Sequence, residues 1–242
     1  MAPDISPFNG AAWYVVFLFS TTVHEASHAL VALKLGDDTA HRGGQVTLDP
    51  IPHIRREPFG MVIIPILSYI FSGWMIGWAS APYDPEWAHR NPRRAGLMAM
   101  AGPVSNLLLC LGAALIIRLG LYEGWFEAPM QIANVAHIVA AKPDAGGNAP
   151  VFAEFGAVLL SICFYLNLLL CAFNLFPLPP LDGSSIPLLC LSDSAAARYT
   201  AFMRTPGISI FGMVVAWQLF GQVAPALYHA AVQWLYPGLY HF

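Results

Sequence analysis

AAWYVVFLFSTTVHEASHALVAL, residues Ala11–Leu33, is an apolar run whose one formal charge is Glu25. It is long enough to cross a bilayer, for which roughly 20 mostly apolar residues suffice. A carboxylate and two imidazoles in hydrocarbon are costly unless partnered, so ionisable residues inside a span are functional candidates. Here they form His24-Glu25-Ala26-Ser27-His28, an H-E-x-x-H pattern. On a helix, His24 and His28 lie one turn apart on one face and can chelate a single metal ion. Glu25 stands beside them as a candidate general base.

Working outward, the chain has 242 residues, 57% hydrophobic and only 10% charged. Soluble domains carry nearer to a quarter charged residues, which leaves no room for a sizeable soluble domain. Further uncharged stretches are Gly60–Ser80, interrupted by Pro65, Gly73 and Gly77, and Ala95–Ile117. Phe155–Leu181 follows, broken at its end by Pro177, Pro179 and Pro180, and no charge occurs between Thr205 and Phe242. Ala128–Ala141 is apolar but too brief to cross. These segments predict an all-α polytopic membrane protein of about four to six transmembrane or re-entrant helices. The alternation at Gln45–Leu48 predicts a short strand, and with it a small membrane-associated β hairpin. The chain reads as one membrane-embedded domain, 1–242, with a core at 11–185 and a C-terminal helix and tail at 205–242. Because the first span also holds the H-E-x-x-H residues, it is expected to be retained and not cleaved as a signal peptide.

A net charge of −3 without a basic field argues against nucleic acid as a partner. Cys110, Cys163, Cys171 and Cys190 lack C-x-x-C spacing and read as buried small hydrophobes. Trp217, Trp234, Tyr236 and Tyr240 read as membrane-interface aromatics. His53 reads as a solvated loop histidine, and His41, His89, His137, His229 and His241 lack ligand spacing. Arg90–Arg94 reads as a positive-inside anchor, and Gly43-Gly44 as a turn.

Orientation follows from the loops. Lys34, Arg42, Arg55 and Arg56 follow the first span, and Arg90, Arg93 and Arg94 precede the next strong one. Both loops favour the cytoplasmic side. A full crossing by Gly60–Ser80 would separate them, so a re-entrant segment is expected there, buried in protein or lining a cavity.

A catalytic zinc site needs three protein ligands and an open position. Asp182 stands out as the third, in Asn174-Leu-Phe-Pro-Leu-Pro-Pro-Leu-Asp182-Gly183. Three prolines prevent the preceding helix from continuing regularly, which lets a short acid reach inward. If Gly60–Ser80 is re-entrant, Asp182 emerges on the same side as His28.

Three ordered motifs carry a resemblance: His24–His28, Gly102-Pro103-Val104-Ser105-Asn106, and Asn174 through Leu181-Asp182-Gly183. The chain resembles the site-2 proteases, intramembrane zinc metalloproteases, and among them the small members without a PDZ domain. Val46-Thr-Leu-Asp-Pro, Gly77-Trp-Ala and Arg90-Asn-Pro-Arg-Arg add to the likeness, which covers Trp13 to Ser185. Ala29 replaces a common glycine, and Ile54-Arg-Arg-Glu-Pro is longer and more basic than usual. The resemblance implies one zinc ion, cleavage of transmembrane protein or peptide substrates in the lipid bilayer, and a cell-membrane location with the active site toward the cytoplasm. It also implies that Asn106 and Asn174 bind the peptide or the developing oxyanion; buried asparagines also serve as interhelical bridges.

Two other classes share some of these features. A catalytically silent zinc-binding scaffold would keep the ligands without needing Glu25. A metal or solute transporter would use broken helices but would show repeated halves, and none is visible in the sequence.

Overall fold

The computed structural model describes residues 5–132, 134–144 and 146–240; His241 lies outside the described residues. In chain order the helices begin with α1 (Pro7–Leu35), α2 (Thr39–Arg42) and α3 (Pro50–Arg56). A π-helical turn at Phe59–Ile63 leads into α4 (Ile64–Ser72), followed by α5 (Pro85–Arg90), α6 (Pro92–Tyr122) and α7 (Val151–Asn174). A 3-10 segment at Asp182–Leu189 precedes α8 (Asp193–Met203) and α9 (Ile208–Leu235). Four of these, α1, α6, α7 and α9, are long and apolar enough to span a membrane. The fold is therefore the expected all-α polytopic one.

Helix α1 begins where Ser6 accepts the Asn9 N–H and Pro7 occupies the first turn; it ends at Gly36, whose φ of 103° suits a residue without Cβ. It packs against α6 and α7, and α6 also packs against α7. Small residues let the backbones approach: Ala26, Ala29 and Ala32 on α1, and Ala95, Ala99 and Gly102 on α6, are all buried. Trp13 and Phe17 of α1 close one core with Ile162 and Leu166 of α7. A second core joins Ala113 and Ile117 of α6 to Phe164, Val232 and Leu235, with Ile138 and Val139 of the apolar 128–141 stretch folded into it.

The π turn and α4 have 5 and 9 residues, a rise of about 21 Å at 1.5 Å per residue, short of the ~30 Å hydrocarbon core. Gly73, at φ 76°, reverses the chain. The returning leg has no regular secondary structure, and the Trp78 N–H donates to the Gly60 carbonyl at 3.2 Å. A Cβ on Gly60 would stand 2.2 Å from the Trp78 oxygen, and one on Gly77 2.2 Å from the Gly60 oxygen. These two glycines let the legs touch. The segment enters and leaves at one end of the bundle.

The expected small hairpin is present as a pair of two-residue antiparallel strands, β1 (Phe126–Glu127) and β2 (Ala140–Ala141). Other expectations change. Gln45–Leu48 is irregular: the Gln45 backbone N–H donates to the Ala40 carbonyl at 2.9 Å, and its side-chain amide donates to the Ser80 carbonyl. His53 is fully buried, with Nε2 against the Thr47 carbonyl, and is not a solvated loop residue. Cys190 is exposed. Tyr236 and Tyr240 donate to the Ile138 and Pro129 carbonyls, so they fasten the C-terminal end to the 128–141 stretch.

Candidate metal centre

His24 and His28 project from one face of α1, their ring centroids 4.6 Å apart. The three prolines end α7 and carry the chain back toward α1. Gly183 is pressed so tightly on the Leu175 and Phe176 carbonyls that a Cβ there would stand 2.3 Å from each oxygen. That contact aims Asp182 inward. His24 Nε2 and His28 Nε2 are 3.0 Å apart, and Asp182 Oδ2 lies 3.1 Å from the first and 3.3 Å from the second. In tetrahedral zinc with bonds near 2.0–2.1 Å, neighbouring ligand atoms are about 3.3 Å apart. The triangle has the right size. Among the described residues, this is the one group of three metal-binding side chains brought together in this way.

The donor set fits a cation for a second reason. His28 Nδ1 sits 2.7 Å from the Met98 carbonyl, which can only accept, so Nδ1 carries the hydrogen and Nε2 presents a lone pair. His24 Nδ1 faces the Asn106 side-chain oxygen at 2.5 Å. Asp182 Oδ2 is buried without a hydrogen-bond donor. Three lone pairs thus converge, an arrangement that repels itself unless a cation sits among them.

Glu25 lines two cavities. One, of about 580 Å³, is shared with His28, Asp182, Ser184, Tyr199 and Arg204. The other, of about 300 Å³, is shared with His24, Trp78, Asn174 and Trp217 and is otherwise mostly apolar. Ala79 and Leu181 border both, so the carboxylate stands at their junction. Trp217 borders the smaller cavity and packs edge-on against Phe173. The basic lip at Ile54–Pro58 is tied down where the Ser80 hydroxyl donates to the Glu57 carboxylate at 2.6 Å.

The two asparagines part company. Asn174 lines the smaller cavity and donates to the Leu170 carbonyl at 3.0 Å. Asn106 is fully buried, lines neither cavity, and uses both ends of its amide: oxygen toward His24, nitrogen donating to Asn167 at 2.8 Å. In this geometry it stands behind the His24 ring, away from both cavities. Asn167 and Ser20, also fully buried, extend that contact and escaped the sequence reading. A lone polar residue in an apolar run carries no spacing signal. The buried positions of Ser20, Asn106 and Asn167 become linked only once α1, α6 and α7 are packed.

Comparison with known proteins points the same way. A model described as peptidase family M50 matches residues 12–214. "Putative zinc metalloprotease YwhC" of Bacillus subtilis (strain 168) is 36% identical over 173 residues, 71% of this chain and 65% of that protein. "Putative zinc metalloprotease Rip2" of Mycolicibacterium smegmatis is 25% identical over 186 residues, 75% of this chain and 60% of that protein. The chain thus spans less than two thirds of the length of these relatives. No solved structure matches.

Proposed function

The chain belongs to peptidase family M50, the site-2 protease family, and from that membership we propose that it is a zinc-dependent endopeptidase cutting membrane-protein substrates within or beside their transmembrane segments. The observation that carries the reading is the meeting of His24, His28 and Asp182 around one point, with Glu25 alongside at the junction of an apolar and a more polar cavity. His24, His28 and Asp182 would hold the ion. Zinc held there would acidify its bound water toward a pKa of ~7 and polarise the scissile carbonyl.

Glu25 takes a proton from the attacking water and delivers it to the departing amine as the C–N bond breaks, one new carboxyl and one new amine resulting. A substrate helix hides its carbonyls in its own hydrogen bonds, so it must unwind before attack. The apolar cavity accepts the unwound segment, and the returning leg at 76–81, which borders the same cavities as Glu25, offers it backbone to pair with. Asn174, in the same cavity, contacts the bound peptide. The more polar cavity admits water and releases product.

The charge distribution supports a cytoplasmic active site. The Arg94 guanidinium donates to the Leu35 carbonyl, so α1 ends where α6 begins, and Arg118 donates to the Trp234 carbonyl at the opposite end. Lys34, Arg42, Arg55, Arg56, Arg90, Arg93, Arg94, Arg198 and Arg204 follow or precede spans at the first end, against Arg118 and Lys142 at the other. That asymmetry favours the first end facing inward.

Glu25→Gln tests the reading. In liposomes with a transmembrane peptide substrate, cleavage should fall at least ~100-fold while bound zinc stays at the wild-type level. Undiminished cleavage by the variant, or zinc-loaded wild type that cuts no membrane substrate, would return the chain to the silent-scaffold class.

A further inference from the structure

His28 and His24 present the same nitrogen toward the metal site, but their tautomers are set by different means. For His28 the Met98 backbone carbonyl, which has no hydrogen to give, faces Nδ1 directly. For His24 the facing group is the side-chain amide of Asn106, which offers an oxygen in one flip and an NH₂ in the other. The wrong flip would turn Nδ1 into an acceptor, put the hydrogen on Nε2, and remove the lone pair that binds the ion. Something must hold that amide one way round.

The geometry points to Asn167 on α7 as the residue that does so, through a backbone carbonyl of its own helix. Asn167 Nδ2 lies 2.9 Å from the Cys163 carbonyl and 2.9 Å from the Ser20 hydroxyl. The Cys163 carbonyl can only accept, so the NH₂ end of Asn167 must face it. Its Oδ1 is then turned to Asn106, at 2.8 Å from Asn106 Nδ2. Asn106 must therefore donate to Asn167 and offer Oδ1 to His24, which leaves the hydrogen on Nδ1 and the lone pair on Nε2. Every step follows from which groups can donate. Ser20, Asn106 and Asn167 are each 0% exposed, so no bulk water can substitute for a missing partner.

Asn167 is thus a positioning residue acting through Asn106 on a metal ligand, and it touches neither the ion nor substrate. The inference deepens the zinc-protease reading and rests on the ligand role of His24. Outer partners of this kind change metal affinity by about 10–100-fold. A side chain that only glues helices would change thermal stability and leave the affinity of the folded protein alone.

The test is zinc affinity, measured by chelator competition on purified full-length protein in detergent, with folding checked by thermal melting. Asn167→Leu should raise the zinc Kd about 10–100-fold. Asn167→Asp retains an oxygen facing Asn106 in either protonation state and should stay within about threefold of wild type. Ser20→Ala removes the hydroxyl but keeps the Cys163 carbonyl, and should do likewise. Unchanged affinity in Asn167→Leu, or a loss in Ser20→Ala as large as in Asn167→Leu, overturns the proposal. If Asn167→Leu does not fold, ¹⁵N resonances of the His24 ring in metal-free wild type decide: hydrogen on Nδ1 supports the relay, hydrogen on Nε2 overturns it. Wild-type protein that binds no zinc would instead sink the enzyme reading itself, a separate outcome.

Discussion

Gly102 stands directly against His28: a Cβ at that position would come within 2.3 Å of His28 Nε2, and within 2.4 Å of His24 Nε2. The glycine keeps open the space into which both imidazoles point. Gly102→Ala should therefore cost zinc binding while α6, which tolerates alanine well, stays helical. The expected result is at least a tenfold rise in zinc Kd with little change in far-UV circular dichroism. Full zinc occupancy at wild-type affinity would mean that the ion sits elsewhere.

Asp182 should matter more than any residue behind the ligands. Removing a ligand deletes a bond to the metal, so Asp182→Ala should weaken zinc by more than the ~10–100-fold of an outer partner. Metal analysis by mass spectrometry after dialysis is the measurement. Stoichiometric zinc in this variant would contradict the assignment outright.

Acidification should release the ion. Ligand nitrogens bind only when unprotonated, so protons compete with zinc. A carboxylate ordinarily protonates at lower pH than an imidazole, so the ring nitrogens yield first. Bound zinc followed by equilibrium dialysis should decline as pH drops, and recover on neutralisation. Occupancy independent of pH down to the carboxylate range would argue against histidine ligation.

The doubled-back segment rests on Gly60 and Gly77. A Cβ at either would collide with backbone oxygen of the other leg at 2.2 Å, and backbone cannot step aside as a flexible side chain can. Gly60→Ala and Gly77→Ala should each destabilise the protein by about 1–3 kcal/mol, the range for overpacking, and should impair cleavage, because the returning leg borders Glu25. Thermal melting in detergent reads the first effect and peptide cleavage the second. Wild-type melting in both variants would show that the legs do not meet.

Features set by neighbours in the chain were legible before any coordinates. The spacing of His24 and His28 is one helical turn, the spans are unbroken apolar runs, and the prolines before Asp182 forbid a regular helix whatever surrounds them. The doubling back of the chain at 60–80 was legible for the same reason, since glycine and proline act locally. The place of the small hairpin was not: alternation at Gln45–Leu48 is a weak signal, and the strands pair at Phe126–Glu127 and Ala140–Ala141 instead. His53 was misread because burial depends on what packs over a residue, which no local pattern records.

The amino-acid order alone determined that this is a helical membrane protein with two imidazoles and a carboxylate on one span, because period and hydropathy are properties of a single segment. Only the packed bundle decided which way the Asn106 amide points and that Asn167 governs it. Those bonds join α1, α6 and α7, and a donor meets its acceptor across helices only after the chain has closed around both.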